Sequence, residues 1–332
     1  MHILAMPAAL ALIAGPTAPA DMDISQPAPA TATPPRIESE SEVTIIETIA
    51  MEIERYRRMT VPVTIKGEGP FRFMVDTGAQ ATVLSRDLAD QLQLTDREGA
   101  TLVGMASRRV VETTMVPEFE LGERRLTIRT APLVEAAHIG DADGILGLDT
   151  LQNQRVLLDF VGNEMQVTDS LGDGGRRSYD IVVRAQERLG QLIIHRASID
   201  GVSVDVVVDT GAQGSIGNFE LQRRLRNRRQ LGDAHMTDVN GVQISGETRL
   251  ARRLEIDAAQ INNVVVSFAD SPTFHALGLV DRPALILGMS ELRLFRRVAI
   301  DFRSRRVLFD LPGDAPPGAP WHFNSRASRL ND

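Results

Sequence analysis

Two stretches of this chain alternate apolar and polar residues as β-strands do, and the second of them ends on an aspartate. Residues 61–65 (VPVTI) are apolar at every second position, and residues 71–75 (FRFMV) repeat the alternation after the turn 67–70 (GEGP). Period-two patterns separated by glycine and proline predict a β-hairpin. Its second strand runs directly into Asp76.

The same order returns in the second half of the chain. Residues 192–199 predict a strand, Asp200-Gly201 is a hairpin turn signal, and residues 202–208 predict the strand that ends at Asp209. An apolar strand that ends in a carboxylate and a glycine turn places an acid at the edge of a core, so two such strands suggest two acids brought together. The two strand ends read FMVDTGAQ at 73–80 and VVVDTGAQ at 206–213.

A helix is predicted after each motif, at a constant distance from it. Ser85 is the expected N-cap of a short helix with Leu88 on its buried face. Asn218 and Leu221 repeat both features 133 residues later, the same offset that separates the two aspartates. A constant offset through motif and helix indicates an internal duplication.

The later elements of the repeat are displaced further. Ile145-Leu146-Gly147 returns as Ile286-Leu287-Gly288 after 141 residues, so the second unit has gained about eight residues. We expect the insertion in the loop between Ala269 and Pro283. Two mostly β units in one chain predict a mainly all-β, bilobal protein with pseudo-two-fold symmetry and a short helix after each motif. The expected division is a signal peptide at 1–20, a disordered linker or pro-segment at 21–42, the first lobe at 43–168, a connector at 169–179, the second lobe at 180–311 and a tail at 312–332.

The amino-acid composition excludes several classes of function. With 332 residues and 43% hydrophobic content, the chain can bury a large core. The absence of cysteine excludes disulfides, thiolate zinc sites and a cysteine nucleophile. A net charge of −8 argues against a nucleic-acid partner, and the basic run 223–229 is interpreted as a solvated helix face. No metal site and no cofactor are expected, because the histidines are scattered.

The N-terminal pattern is typical of a secretory signal peptide. Residues 3–14 form an apolar run, and Ala18-Pro19-Ala20 supplies a small-x-small cleavage site. Only His2 precedes the run, so a basic n-region is missing. A run of about a dozen residues is shorter than the about 20 that span a bilayer. We therefore expect an exported protein, periplasmic or secreted, without an integral membrane span once the signal is removed; a disordered apolar N-terminus is the alternative.

The paired Asp-Thr-Gly-Ala segments, each followed by a Leu-Gly segment, resemble those of the retropepsin-like aspartic proteases. These are the retroviral-type relatives of pepsin, and the family has bacterial members. The resemblance covers residues 59–167 and 190–311. One Asp-Thr-Gly is a weak signal, but two copies after apolar strands and in register with a second paired motif are specific. The resemblance implies two barrel lobes that meet at a pseudo-two-fold axis within one chain.

Carried over residue by residue, the resemblance implies a catalytic dyad of Asp76 and Asp209. The glycines implied to pack beneath the two loops are Gly147 and Gly288, and the implied flap turns contain Gly104 and Gly241. The loop residues implied to support the dyad are Thr77, Gly78, Ala79, Thr210, Gly211 and Ala212.

The second motif departs from the family pattern. Gly217 stands where the first unit has Leu84, and neither flap candidate carries the tyrosine of pepsin-type flaps. These departures leave two functions open. One is an aspartic endopeptidase that acts on polypeptides. The alternative is a catalytically weak or inactive protease-like binding or regulatory module of the cell envelope.

The dyad would do acid–base chemistry without a metal. Two carboxylates in contact cannot both ionise, so they share a proton. The ionised member takes a proton from a water, and the protonated member donates to the scissile carbonyl oxygen. Because both halves lie in one chain, a monomer with an intramolecular pseudo-dimer is expected, while pairing between chains stays open.

Overall fold

The structure is a computed structural model that describes residues 3–5, 10–11, 46–50, 52–53, 59–152, 154–168, 179–225, 229–312 and 321–324. The predicted signal peptide, linker, connector and tail lie wholly or largely outside these residues. Those assignments, and the exported location that follows from the first, stay predictions.

The described chain is mainly β, as predicted, and its helices are short. The helices span Arg86–Gln91, Leu148–Leu151, Phe219–Arg224, Pro272–Ala276 and Met289–Leu292, with a 3₁₀ turn at Ala136–Ile139. None of the helices in the described part of the chain is long and apolar enough to cross a membrane. The strands in chain order are β1 Ile3–Ala5, β2 Leu10–Ala11, β3 Ile46–Ala50, β4 Glu52–Ile53, β5 Met59–Ile65, β6 Glu68–Val75, β7 Val83–Ser85, β8 Glu98–Val103, β9 Arg108–Leu121, β10 Arg124–Val134, β11 Gly144–Leu146, β12 Arg155–Asp159, β13 Glu164–Thr168, β14 Ile181–Arg184, β15 Gln186–Arg188, β16 Gln191–Ile199, β17 Val202–Val208, β18 Ser215–Gly217, β19 Arg229–Thr237, β20 Gln243–Ile256, β21 Ala259–Phe268, β22 Ala284–Leu287, β23 Arg297–Asp301, β24 Arg306–Asp310 and β25 Trp321–Asn324.

Each lobe is a closed barrel with the same order of strands. In the first lobe the order is β5, β6, β11, β7, β10 and β9, and β9 pairs back with β5. In the second lobe β16, β17, β22, β18, β21 and β20 repeat this order, and β20 pairs with β16. The hairpins β8–β9 and β19–β20 extend the two barrels at equivalent places. The two lobes therefore share one topology, as the predicted repeat requires.

A third sheet joins the lobes. Its order is β14, β24, β23, β12, β13 and β3, so strands of the second lobe continue directly into strands of the first. At its centre β12 and β23 run antiparallel, with Leu157 opposite Ala299. One face of this pair packs in the main core through Val156 and Leu158, which are buried. The two lobes are thus held together by backbone hydrogen bonds as well as by apolar packing.

The helices after the motifs form where the sequence predicts them. Ser85 accepts a hydrogen bond from the Leu88 amide (3.2 Å), and Asn218 Oδ1 accepts one from the Leu221 amide (2.9 Å). Both helices are thus capped by the expected side chains. The predicted insertion between Ala269 and Pro283 contains the helix Pro272–Ala276, where the first lobe has only a 3₁₀ turn.

Two residues of the basic run, Arg223 and Arg224, are exposed at the end of the helix Phe219–Arg224. Arg224 Nε lies 3.0 Å from Glu220 Oε1, and Arg223 pairs with the same carboxylate. Spacings of three and four residues bring these side chains together on one side of a helix. The interpretation as a solvated helix face is confirmed for Arg223 and Arg224; Arg229 belongs to β19, and residues 226–228 lie outside the described residues.

Candidate active site

Two equivalent strand ends place Asp76 and Asp209. Asp76 follows β6 and its amide donates to Leu146 O of β11, while Asp209 follows β17 and donates to Leu287 O of β22, both at 3.1 Å. The apolar residues before each aspartate are buried in the core. Each strand ends at its aspartate, where the chain turns into the Asp-Thr-Gly loop. Asp76 is 0% exposed and Asp209 is 2% exposed.

Each aspartate uses one oxygen to hold its own loop. Oδ1 of Asp76 accepts from the amides of Gly78 (2.8 Å) and Ala79 (2.9 Å). Oδ1 of Asp209 accepts from the amides of Gly211 (2.8 Å) and Ala212 (3.2 Å). These bonds fix the direction of each carboxyl group and leave its second oxygen for the opposite loop.

Each carboxyl group lies against the loop of the opposite lobe, Asp209 beside Gly78 and Asp76 beside Gly211. No amide or hydroxyl of the described residues donates to Oδ2 of Asp76, which is buried. The hydrogen-bonding neighbour of that carboxyl is Asp209. Two ionised carboxylates only accept hydrogen bonds, so a hydrogen bond between these two groups would need one of them to be protonated.

Burial raises the pKa of both carboxyl groups. The pKa of Asp76 is raised well above 3.8, first by burial and then by the charge of Asp209, against the opposing effect of the Gly78 and Ala79 amides. Burial raises the pKa of Asp209 to about 6, although hydrogen bonds from Asp76 and from the loop amides lower it. The pair therefore keeps a proton at a pH where ordinary carboxyl groups have lost theirs, and that proton belongs to the pair.

The threonines of the two motifs bind across the junction. The Thr77 amide donates to Thr210 Oγ1 (3.0 Å), and Thr210 Oγ1 donates to Val75 O (2.8 Å). In the reverse direction the Thr210 amide donates to Thr77 Oγ1 (3.2 Å), and Thr77 Oγ1 donates to Val208 O (3.0 Å). Each hydroxyl therefore satisfies a buried amide and a buried carbonyl of the strand ends.

Replacing Thr210 by valine is expected to destabilise the fold by roughly 2 kcal/mol or more. Valine keeps the shape but leaves the Thr77 amide and the Val75 carbonyl without their partner, and each unsatisfied buried group costs about 1–3 kcal/mol. Denaturant unfolding measures the change. The Thr210→Ser variant keeps the hydroxyl and should lose much less; equal stability of Thr210→Val and the parent protein would contradict this role.

The glycines of the motifs stand where no side chain fits. A Cβ on Gly78 would lie 2.5 Å from Cγ of Asp209, and a Cβ on Gly211 would overlap the carboxyl group of Asp76. Gly147 and Gly288 lie against the two loops, and a Cβ on either would be 2.5 Å from a backbone oxygen, of Ala81 and Gly214 respectively. The loops can approach each other only because these positions lack a side chain.

The short helices after the Leu-Gly segments hold the loops from the other side. The Leu148 amide donates to Ala79 O and the Met289 amide donates to Ala212 O, both at 2.8 Å. Ala79 and Ala212 are fully buried, so the residue after each Asp-Thr-Gly is fixed by its carbonyl as well as by its packing.

Two hydroxyl–carboxylate pairs also support the loops. Thr82 Oγ1 accepts from the Gly147 amide (3.1 Å) and donates to Asp149 (2.7 Å). Ser215 Oγ accepts from the Gly288 amide (3.2 Å) and donates to Glu291 (2.5 Å).

Burial raises the pKa of both supporting carboxyl groups, that of Glu291 to about 7. Sequence reasoning missed these pairs. The signal was available, because Thr82 and Ser215 are both hydroxyl residues at the constant offset of 133.

Glutamines link the first loop to the start of the second lobe. Gln191 Nε2 donates to Gly78 O (2.5 Å), and Gln80 Nε2 donates to Leu189 O (2.6 Å). Gln191 is buried, and the motifs gave no reason to select it. These contacts tie the entry of β16 to the loop that carries Asp76.

The glycine at position 217 does not leave a void. Gly217 lies opposite Phe268 in the parallel pair β18–β21, whereas in the first lobe Leu84 lies opposite Leu133. A Cβ on Gly217 would meet the Phe268 ring at 2.6 Å. The large ring replaces the missing leucine, so the departure that cast doubt on the second motif is compensated in the packing.

The flap candidates lie in the turns of equivalent hairpins, but at different positions within them. Gly104 is the first residue after β8, whereas Gly241 is the fourth after β19. A Cβ on Gly104 would overlap Asp238, and one on Gly241 would overlap the ring of His138. The residue that occupies the place of Gly104 in the second hairpin is Asp238, so the residue-by-residue correspondence expected from the sequence is shifted.

Family comparisons agree with this geometry. Residues 61–150 match the family model of aspartyl proteases, and residues 195–293 match the model of the gag-polyprotein aspartyl protease. Each segment contains one aspartate loop, one flap hairpin and one Leu-Gly segment. No curated protein matches the chain.

Proposed function

Since the chain carries two retropepsin-like aspartyl protease domains in tandem, we propose that it is an aspartic endopeptidase whose dyad is Asp76 and Asp209. The observation that carries the proposal is the position of two buried carboxyl groups, one from each lobe, each against the loop of the other; burial raises the pKa of both. That arrangement supplies an acid and a base at one place.

In the proposed reaction the dyad acts on a water and a peptide carbonyl at the same time. The ionised carboxylate removes a proton from the water as its oxygen attacks the carbonyl carbon. The protonated carboxyl donates its proton to the carbonyl oxygen, so a neutral tetrahedral diol forms. The carboxyl that gained the water proton then protonates the leaving nitrogen as the C–N bond breaks, and the other carboxylate recovers a proton from the diol.

The surroundings of the dyad keep this geometry rigid. Hydrogen bonds from the Gly78 and Gly211 amides orient the two carboxyl groups. The crossed threonine bonds prevent the two strand ends from separating. Preorganised groups need no rearrangement during the reaction, which is the main source of catalytic power in such sites.

Peptide hydrolysis is expected to be fastest at a pH where the pair holds one proton, and to decline at higher pH where that proton is lost. Catalysis needs one proton on the pair, and burial raises the pKa of Asp209 to about 6 and that of Asp76 well above 3.8. Activity therefore falls as rising pH removes the shared proton. The measurement is kcat/KM for a fluorogenic peptide library from pH 3 to pH 8, with circular dichroism at each pH to detect unfolding. Activity that does not fall at any pH while the protein stays folded would rule out this dyad chemistry.

A second candidate function is a binding module that retains peptides without cleaving them. The observation in its favour is the closure of the site, because both aspartates are almost completely buried. Mass spectrometry after long incubation with a peptide mixture separates the two functions. Cleaved products that disappear in an Asp209→Asn variant support the enzyme, and intact peptides that co-purify with the protein support the binding module.

A further inference from the structure

The turns of the two flap hairpins meet each other. We call residues 104–107 the first flap turn and residues 238–242 the second flap turn; they connect β8 to β9 and β19 to β20. Asn240 Nδ2 of the second turn donates to Ser107 Oγ of the first (3.0 Å). Arg109 Nη1, next to the first turn, donates to Asn240 O (3.3 Å). The hairpins of the two lobes therefore close on each other.

Asp238 is at the centre of this contact, and its two carboxylate oxygens bind different flap turns. Oδ1 accepts from the amides of Asn240 (3.0 Å) and Val242 (2.9 Å), which shapes the second flap turn itself. Oδ2 accepts from the Ala106 amide (3.1 Å) and from Ser107 Oγ (2.7 Å) of the first flap turn. Hydrogen bonds to a carboxylate are stronger than those between neutral groups. One side chain thus joins both turns.

The surroundings of Asp238 favour this contact. Its side chain is completely buried, so bonds lost there would not be replaced easily by water. Gly104 at the start of the first flap turn provides the space, since a Cβ at that position would overlap Oδ2 of Asp238. A carboxylate in one turn and a glycine in the facing turn are complementary in shape.

Apolar side chains cross between the lobes at the same place. Met105 of the first flap turn is buried in a second-lobe cluster with Val207 and Ala212. Val239 of the second flap turn is buried in a first-lobe cluster with Met74 and Ala79. These cluster residues come from the strands and loops that carry the dyad. The crossing turns therefore cover the apolar walls beside the two aspartates.

We propose that Asp238 latches the two flaps over the dyad in the free protein, and that a polypeptide reaches the dyad only after its bonds to Ala106 and Ser107 break. We call these two bonds the flap latch. The part of the proposal that concerns polypeptide access rests on the proposed function. The closing contact itself does not depend on catalysis and is tested separately.

Hydrogen exchange of the free protein tests the latch directly. Asp238→Asn replaces one acceptor oxygen by an NH₂ group, which accepts no hydrogen bond. The single remaining oxygen cannot accept both from the first flap turn (the Ala106 amide and Ser107) and from the amides of its own turn. Ser107→Ala removes the hydroxyl donor alone. Both variants should exchange the amides of the flap turns at least about tenfold faster, while the Gly78 and Gly211 amides keep their rates.

Ser198→Ala is the matched control. Ser198 Oγ also donates to a carboxylate, that of Glu255 at 2.7 Å, but within the second lobe and away from the flap turns. It should leave exchange in the flap turns unchanged. Unchanged exchange in both Asp238→Asn and Ser107→Ala would overturn the latch. If Asp238→Asn fails to fold, the result for Ser107→Ala decides.

The access step is tested by the association rate of a statine-containing peptide, which stopped-flow fluorescence can follow. Opening limits binding in the proposal, so Asp238→Asn and Ser107→Ala should bind at least about threefold faster than the parent protein. Equal or slower association in both variants, with faster exchange, would overturn the access step and leave the contact intact. If the parent protein neither binds nor cleaves any peptide, the proposed function fails and the exchange result still decides the latch.

Discussion

Asp76→Asn and Asp209→Asn are each expected to lower kcat for peptide hydrolysis by about 10³-fold or more. An asparagine cannot exchange a proton with water or with the scissile carbonyl, so the pair loses either its acid or its base. Because both carboxyl groups take part in one proton cycle, the double variant should be about as inactive as either single variant.

The loss should occur in a folded protein. In an Asp76→Asn variant the amide oxygen can still accept from Gly78 and Ala79, and the NH₂ group can donate to the Asp209 carboxylate. The buried contact is therefore satisfied without a shared proton. Thermal unfolding should show that inactivity does not result from unfolding.

The pH dependence of the variants' free energy of unfolding tests the raised pKa values independently of activity. A carboxyl whose pKa is raised on folding favours the folded state below its ordinary pKa, and this contribution is lost as the pH rises through the folded value. For Asp209 the increase from 3.8 to about 6 corresponds to roughly 3 kcal/mol. The asparagine variants should therefore gain stability relative to the parent protein at pH 8 and lose this advantage near pH 4.

Asp257→Asn is the matched control for these variants. Asp257 is exposed in the turn between β20 and β21 and has a positive φ of 52°, which asparagine also tolerates. Its replacement should leave hydrolysis and stability unchanged. Undiminished hydrolysis by Asp76→Asn or Asp209→Asn would exclude the dyad as the catalytic pair.

Gly211→Ala is expected to lower hydrolysis at least about 100-fold and to lower the melting temperature. The new Cβ would overlap the carboxyl group of Asp76, which is held by two backbone amides and cannot move aside freely. Overpacking of this kind costs typically about 1–3 kcal/mol, and a displacement of the order of 1 Å at a reacting group costs about 10²-fold in rate.

A glycine three residues later provides the control. Gly214 lies in the same loop, a Cβ added to it would have no neighbouring atom within 4 Å, and its φ is not positive. Gly214→Ala should therefore keep its activity and melting temperature within error. Kinetics on the fluorogenic peptide and calorimetry on the same samples measure both effects. If Gly211→Ala and Gly214→Ala behave alike, the close approach of the loops does not matter for the reaction.

Local patterns and the repeat were sufficient to predict much of this fold. The alternation in 61–65 and 71–75 predicted the hairpin β5–β6, and the caps Ser85 and Asn218 marked the helices that follow the motifs. The end of a strand is marked by residues next to it in the sequence. The position of each aspartate at a strand end can therefore be predicted from its neighbours in the chain. The constant offset then indicated that the two aspartates belong together.

The remaining contacts depend on residues far apart in the chain. Nothing near Gly217 indicates that Phe268 fills the space of the absent leucine, because that ring comes from a different strand. The bonds of Asp238 to Ala106 and Ser107 span more than 130 residues. Gln191 likewise contacts Gly78 across the junction of the lobes. Such contacts become predictable only when the pairing of the barrels is known.

The inequality of the two flap turns has a consequence for the direction in which a peptide lies. A site made of two identical halves would accept an extended peptide equally well in either N-to-C orientation, because rotation by half a turn exchanges the halves. Here the second turn carries Asp238 where the first has Gly104. In the proposed enzyme, the residues before and after a scissile bond would therefore meet different surroundings, and the two orientations of a bound peptide would not be equivalent.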